Sequence, residues 1–399
     1  MHLEPTAEHR WKSHRVLMLH SAYRELGGEE VSASVEAKLL EKAGHIVEFV
    51  ELNELRQGSA AAAGLQIFSG SKSRALISSF APDVVHVQNF FPLVPPSVIK
   101  TANQAGAATV QTLRNYRVAC LGGTQYRDGK SCTDCSGTRF GAPAIRHGCY
   151  RESRATSLIG QVALSRYSRH DTWTKDIDAF IAVSPHVRAA VASEIPLERI
   201  EIKPNTTQAM NLPGDGSGGY AIAVGRLIEE KGMQLLAEAW SRHSDLPVLR
   251  LIGDGADRAS IQAIADEHEN VELQVGPVAH DEIMRQLGDA CLTIIPSVWR
   301  EPFGRVLVES FASGTPVLWN DVDGVDPPGG EGIHLDTFHL RDPDTLVAAA
   351  KSMLAKSQPD VRRRARQVFD EQFSPERNLL ELERIYQIAI DRRSRLAAD

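Results

Sequence analysis

The sequence predicts an α/β protein with two parallel-sheet domains. Three observations carry that prediction. Short apolar runs of strand length alternate with amphipathic helical stretches along the chain, the pattern of parallel sheets covered by helices on both faces. A glycine-rich stretch from Gln208 to Gly219, containing Pro213-Gly-Asp-Gly-Ser-Gly-Gly, breaks the alternation near the middle and reads as a hinge. The length of 399 residues is ample for two cores. The domains are expected at 1–208 and 209–375.

In order, Arg15-Val-Leu-Met-Leu-His20 reads as the first strand. Gly27-Gly28-Glu29-Glu30 follows, then a helix from Val31 to Ala43. After the hinge come a strand over 221–224, a helix over 232–243, a strand over 248–252, a turn at Gly253-Asp-Gly255 and a helix over 258–267. A strand over 271–275, a helix near 280–287, a strand over 291–295 and a short strand at Pro316-Val-Leu-Trp319 complete the second half. The tail from Pro375 to Arg395 carries Leu379, Leu380, Leu382, Ile385, Tyr386 and Ile388 at helical spacing.

The most informative segment is Glu301-Pro-Phe-Gly-Arg-Val-Leu-Val-Glu309. Pro302 and Gly304 read as the opening of a helix, because proline is favoured in a first helical turn. Exposed N–H groups and the positive end of the helix dipole suit such a terminus to phosphate. A helical segment would set Glu301 and Glu309 roughly 12 Å apart. One carboxylate could then take sugar hydroxyls and the other a ribose diol. Two ordinary surface carboxylates are the plainer alternative. Ala221-Ile-Ala-Val-Gly225 reads as a buried strand running into Arg226-Leu-Ile-Glu-Glu-Lys231-Gly232. Arg226 and Lys231 thus fall on a strand-to-helix loop, where open α/β sheets bind ligands. Together they can neutralise a diphosphate.

Taken together, these segments resemble the retaining glycosyltransferases of family 4, the group 1 glycosyl transferases. Their Gly-Arg-Leu-x-x-x-Lys-Gly loop and Glu-x-Phe-Gly-x-x-x-x-Glu segment correspond to 225–232 and 301–309. The resemblance implies the GT-B fold, with two Rossmann-like domains facing a central cleft and a final helix, 376–399, that packs back on the first. It makes Gly27 and Gly28 a loop that approaches donor phosphates. Pro82-Asp-Val-Val-His86 and Val110-Gln-Thr-Leu-Arg114-Asn115-Tyr116 become strand ends facing the cleft, and Ile181-Ala-Val-Ser184 and Ile202-Lys-Pro-Asn205 the last strands of the first domain. Arg226, Lys231 and Glu301 are the implied catalytic residues. Gly27, Gly28, Gly225, Gly253, Phe303, Gly304, Arg305 and Glu309 would bind the nucleotide-sugar donor, with base contacts from backbone around Gly253–Gly255 and Val275–Pro277. His86, Arg114 and Asn115 are cleft or acceptor candidates. No Asp-x-Asp stands in a metal-binding context, so a metal-independent mechanism with no catalytic cofactor is expected, with front-face attack and retention implied by the family.

Two departures matter. Arg114 stands where this group often has His, which points to a more acidic acceptor or a changed donor. At the preceding strand end, Val85-His86-Val87-Gln88 replaces Val-His-x-His. His86 is then either a cleft residue or a structural one.

Composition is that of a soluble globular protein, with 42% hydrophobic and 24% charged residues. A net charge of −7 gives no nucleic-acid signature. No apolar stretch is long enough for a transmembrane helix, and Met1 to Arg15 has no signal-peptide core. A cytoplasmic protein is expected, with peripheral contact at the inner face of the membrane as its membrane reading. From Arg114 to Arg154 there are eight Lys/Arg against three acids. That bias reads either as solvated loop charge or as a docking surface for anionic headgroups or a diphosphate-linked lipid acceptor.

Cys120, Cys132, Cys135 and Cys149 lie in a loop-rich insertion, 117–153. The Cys132-x-x-Cys135 spacing suits a structural zinc that the outer thiols complete. Reduced thiols packed locally, or a redox pair, are the alternatives. The expected function is sugar transfer from a nucleotide-diphosphate sugar to a glycan or lipid-linked acceptor in surface polysaccharide or glycolipid assembly. A non-hydrolysing nucleotide-sugar epimerase and a catalytically quiet nucleotide-sugar-binding or scaffold protein are the alternatives.

Overall fold

The computed structural model describes residues 12–22, 27–53, 66–138, 140–208, 213–324, 327, 335–356 and 358–398. Residues 209–212 of the hinge stretch lie outside the described residues, as do 397–399 where side chains are concerned.

The strands are β1 (Arg15–Ser21), β2 (Ile46–Leu52), β3 (Val84–Asn89), β4 (Ala108–Leu113), β5 (Tyr126–Arg127), β6 (Lys130–Ser131), β7 (Ala179–Ala182) and β8 (Ile200–Ile202) in the first half. The second half has β9 (Tyr220–Val224), β10 (Val248–Gly253), β11 (Val271–Val275), β12 (Leu292–Ile295), β13 (Val317–Asn320) and β14 (Leu335–Phe338). They form two six-stranded sheets, ordered β2-β1-β3-β4-β7-β8 and β11-β10-β9-β12-β13-β14, and the antiparallel hairpin β5-β6. Neighbours within both large sheets pair in parallel. β3 and β4 are buried along their whole length, although β3 carries His86, Gln88 and Asn89 and β4 carries Thr109, Gln111 and Thr112; strands of a parallel sheet are covered on both faces.

In each sheet the strand order reverses once, between β1 and β3 and between β9 and β12. Ligand crevices form beyond the carboxyl ends of strands at such reversals. The loops after β9 and β12 carry Arg226–Gly232 and Pro296–Gly304, so topology alone brings the two motif segments side by side. The helix Pro375–Ala398 returns to the first sheet. Its Leu382, Ile385, Tyr386 and Ala389 are buried with Val16, Met18, Val84, Val110 and Ile181.

One element departs from the expected boundaries in a way that matters. The helix expected to open at Pro302 begins at Arg305 and runs to Ala312. Gly304 caps it with φ of 78°, a left-handed conformation that glycine adopts without strain, and a Cβ there would stand 3.1 Å from the Trp319 ring. Pro302 therefore lies before the helix, and the separation expected between Glu301 and Glu309 from a continuous helix does not apply.

Candidate functional site in the interdomain cleft

The cleft between the sheets has an empty volume of about 1150 Å³ and opens to solvent. The second domain contributes Gly225, Arg226, Lys231, Ser297, Trp299, Glu301, Phe303, Gly304 and Arg305 to its walls, and the first contributes Gly27, Gly28, Glu29, Ser32, Arg114, Asn115 and Asn205.

Glu301 is buried, yet both carboxylate oxygens meet the Lys231 ammonium at 2.7 Å, and Ser297 Oγ donates to Oε2 at 2.7 Å. Burial alone would push its carboxyl up. Lys231, Ser297 and the nearby Arg226 outweigh burial and hold it below the usual carboxylate range. The site thus presents an ionised carboxylate with its cations at neutral pH. Lys231 Nζ also stands 5.7 Å from the Trp299 ring centroid. Glu309 sits behind this wall. It accepts from Arg305 Nη2 at 2.6 Å and lies 3.9 Å from His280. The Trp299 indole N–H and Arg305 Nε are buried donors without a hydrogen-bond partner among the described residues, and both residues line the cleft.

The opposite wall comes from the helix Gly28–Lys42, whose first turn faces the cleft. Gly28 lies so close to Arg305 that a Cβ would stand 2.9 Å from its Cδ. The glycine loop of one domain thus abuts the 301–309 segment of the other. Asn115 donates to Glu29 at 2.9 Å.

Three of the residues singled out from sequence have other surroundings. His86 is fully buried and does not line the cleft. Its ring nitrogens bond Tyr386 Oη and Thr112 Oγ1, each at 2.8 Å. Arg114 touches the cleft, but its guanidinium turns inward to Glu36 at 3.1 Å, Gln88 at 2.6 Å and Asn205. Its charge is therefore matched inside the domain rather than offered to an acidic acceptor. Gly253 is not among the cleft-lining residues. It packs behind the loop, where a Cβ would stand 1.9 Å from the Gly225 carbonyl oxygen.

The four clustered cysteines are half-buried free thiols. They feel one another electrostatically, and burial pushes the Cys135 and Cys149 thiols up. Among the described residues no group of three or more His, Cys, Asp or Glu is arranged to hold a metal ion. The thiols as placed form no coordination sphere. The hairpin of this insertion instead reaches the second domain: Tyr126 Oη meets Glu229 at 3.3 Å, Ser131 Oγ donates to Asp323, and Arg341 donates to the Gly129 carbonyl at 2.6 Å.

Residues missed from sequence cluster on the 300–302 backbone. Tyr116 Oη donates to the Arg300 carbonyl at 2.9 Å, His186 Nε2 to that of Glu301 at 2.7 Å and Ser184 Oγ to that of Pro302 at 2.7 Å. Backbone acceptors carry no side-chain code, so only the proximity of Tyr116 and Ser184 to strand ends hinted at this. Ser297 was also missed. Its sole signal is its place four residues before Glu301.

The model of the family described as "Glycosyl transferases group 1" matches residues 211–367. The lipopolysaccharide core biosynthesis glycosyltransferase LpsE of Rhizobium meliloti is 30% identical over 115 residues, 29% of this chain and 33% of LpsE. The chain spans between 27% and 60% of the lengths of the curated relatives it matches. Among solved structures, sucrose-phosphate synthase from Thermosynechococcus elongatus superposes with a TM-score of 0.65 at 16% identity, over 96% of this chain and 100% of that one. Anabaena Alr3699/HepE, solved in complex with UDP and glucose, gives a TM-score of 0.60 at 14% identity, over 92% and 98%. Residues 211–367 thus match the group 1 glycosyl transferases, and the two facing sheets give the chain the two-domain GT-B fold.

Proposed function

We propose that this protein is a retaining, metal-independent glycosyltransferase that moves a sugar from a nucleotide-diphosphate donor to a hydroxyl of a glycan or lipid-linked acceptor, in surface polysaccharide or glycolipid assembly. The observation that carries the reading is the ionised Glu301–Lys231 pair, with Arg226 beside it, in a cleft that also holds two unpartnered donors. The C1–oxygen bond to the diphosphate breaks, and negative charge grows on the leaving phosphate. Arg226, Lys231 and N–H groups at the Gly304–Arg305 helix start stabilise that charge more in the transition state than before it. The acceptor hydroxyl attacks from the same face, and its proton passes to the departing diphosphate oxygen. Three of the four acceptor positions on Glu301 are taken by Lys231 and Ser297, which leaves one for a sugar hydroxyl.

Glu309 is assigned the ribose diol, which it reaches by exchanging its Arg305 contact. The test is a thermal-shift and turnover panel of nucleotide-sugars, with UDP, GDP and ADP as binding probes. One nucleoside diphosphate is expected to raise the melting temperature, and its sugar derivative is expected to release nucleotide when acceptor is added. Glu309→Ala is expected to weaken that nucleoside diphosphate roughly tenfold, the worth of one charged hydrogen bond. Binding without turnover across the panel would instead support a quiet nucleotide-sugar-binding protein.

Peripheral membrane contact has a specific surface in this reading. No helix among the described residues is long and apolar enough to cross a membrane. The helix Arg154–Arg169 exposes Leu158 at 48% and Ile159 at 54%, and Phe68, 49% exposed, lies under Arg166 with 5.6 Å from guanidinium to ring. From Arg146 to Arg169 there are five arginines and one acid, Glu152. Apolar side chains rimmed by arginine suit the anionic surface of a bilayer. The protein is expected to sediment with vesicles containing phosphatidylglycerol and not with pure phosphatidylcholine. Leu158→Glu with Ile159→Glu is expected to weaken this by about tenfold or more. Vesicle binding that survives this change, with an altered oligomeric mass, would assign the patch to a second copy of the chain instead.

A further inference from the structure

Glu301 is gripped from two sides. Its carboxylate is held by Lys231 and Ser297 of its own domain. Its backbone is held by the other domain, where Tyr116, His186 and Ser184 donate to the three consecutive carbonyls of residues 300, 301 and 302. Tyr116 follows β4. Ser184 caps the short helix Pro185–Ala190, accepting from Val187 N, and so aims its own proton outward. His186 lies in the first turn of that helix, 3.1 Å from Ser184. A carbonyl only accepts, so Nε2 of His186 carries the hydrogen. Burial holds this ring below the ordinary histidine range, which favours the neutral form, and the Glu301 carbonyl selects the tautomer.

Three side chains that follow two strands of one domain thus hold a single three-residue stretch of the other. Such a set needs one relative placement of the domains, because three donors fixed on two loops must meet their three carbonyls at once. The middle residue of the stretch bears the carboxylate that faces the cleft. We propose that Tyr116, Ser184 and His186 are positioning residues that seat Glu301 for turnover and latch the closed arrangement of the domains. They touch neither donor nor acceptor. They act through the backbone of Glu301, whose misplacement by a fraction of an ångström is costly to chemistry but not to the phosphate contacts of the second domain.

The inference rests on the glycosyltransferase reading and deepens it. Ser184→Ala with His186→Ala, and separately Tyr116→Phe, are to be compared with the wild type in three measurements on the full chain. These are affinity for UDP, GDP and ADP, kcat and KM with the donor that supports turnover, and small-angle scattering with and without the nucleoside diphosphate that binds. The double variant is expected to keep nucleoside diphosphate affinity, to lose kcat by roughly tenfold to a hundredfold, and to show a larger radius of gyration in the bound state. His186→Gln, which restores an N–H at similar reach, is expected to recover most of the kcat lost by His186→Ala. Unchanged kcat, equal losses of affinity and kcat, an unaltered radius of gyration, or no rescue by glutamine would each overturn the assignment. A wild-type protein with no turnover would instead sink the glycosyltransferase reading. The scattering comparison would then still judge the latch.

Discussion

Replacing Lys231 by alanine is expected to lower kcat by two to three orders of magnitude, the usual cost of removing a preorganised charge from a transition state. Nucleoside diphosphate affinity should fall far less, because Arg226 and the helix start at Arg305 remain. Two losses combine. The leaving diphosphate forfeits a cation, and Glu301 is left ionised, buried and without its partner. Burial then dominates and drives the Glu301 carboxyl up, so the residual activity should require a higher pH than the wild type. Steady-state kinetics across pH, beside titration of nucleoside diphosphate binding, checks both parts. Equal and minor effects on kcat and binding would contradict the role.

The second large effect concerns stability. Glu36 is buried between Lys203 at 2.7 Å and Arg114 at 3.1 Å, and accepts from Gln88 at 2.8 Å. Burial opposes its ionisation, but Lys203 and Arg114 prevail and hold its carboxyl far below the ordinary range. Glu36→Gln keeps the shape and strands two cations in the interior. A cost of about 3–5 kcal/mol is expected, seen as a fall of roughly 10 °C in the melting of the first domain. Lys203→Met should cost less in the Glu36→Gln background than alone, since the two residues share one network. The same network predicts acid sensitivity. The Glu36 carboxyl is depressed on folding, so its stabilisation is present above the ordinary glutamate value near 4.5 and is lost as pH falls below it. His86 is depressed too, to about 3, chiefly by burial. The unfolded chain therefore takes up a proton there from about pH 6.5 downward that the folded one refuses until about pH 3. Both groups make stability decline with acid, beginning with His86. A melting temperature constant from pH 7 to pH 4 would contradict this.

Much of the fold was legible because its strands are buried on both faces and its helices amphipathic. The strand Val271–Val275 and the helix Arg258–Glu267 begin and end where apolar spacing places them. The pairing of Lys231 with Glu301 was legible in part. Their loops follow strands that flank an order reversal, and ligand chemistry collects there. What escaped had no local signature. Arg114 looked like a charge offered to the cleft, because its partner Glu36 is contributed by a helix far earlier in sequence. His86 could be read as a cleft or a structural residue, and the partner that makes it structural, Tyr386, lies 300 residues away. Pro302 looked like a helix start, but a left-handed glycine two residues later sets the true one. The contacts of Tyr116, Ser184 and His186 span 184, 118 and 115 residues and end on backbone carbonyls, which any sequence supplies.

The returning helix Pro375–Ala398 has a consequence for synthesis. Tyr386 completes the shell of His86, Asn378 accepts from Lys203, and Leu382 and Ile385 cover the first sheet. Until those residues leave the ribosome, the half of the chain made first has an uncovered face, and Lys203 and His86 each lack one hydrogen-bond partner. The second sheet draws its strands from residues 220–338 alone. The order of maturation therefore runs against the order of translation: the domain that emerges first is the one that must wait for residues 375–398.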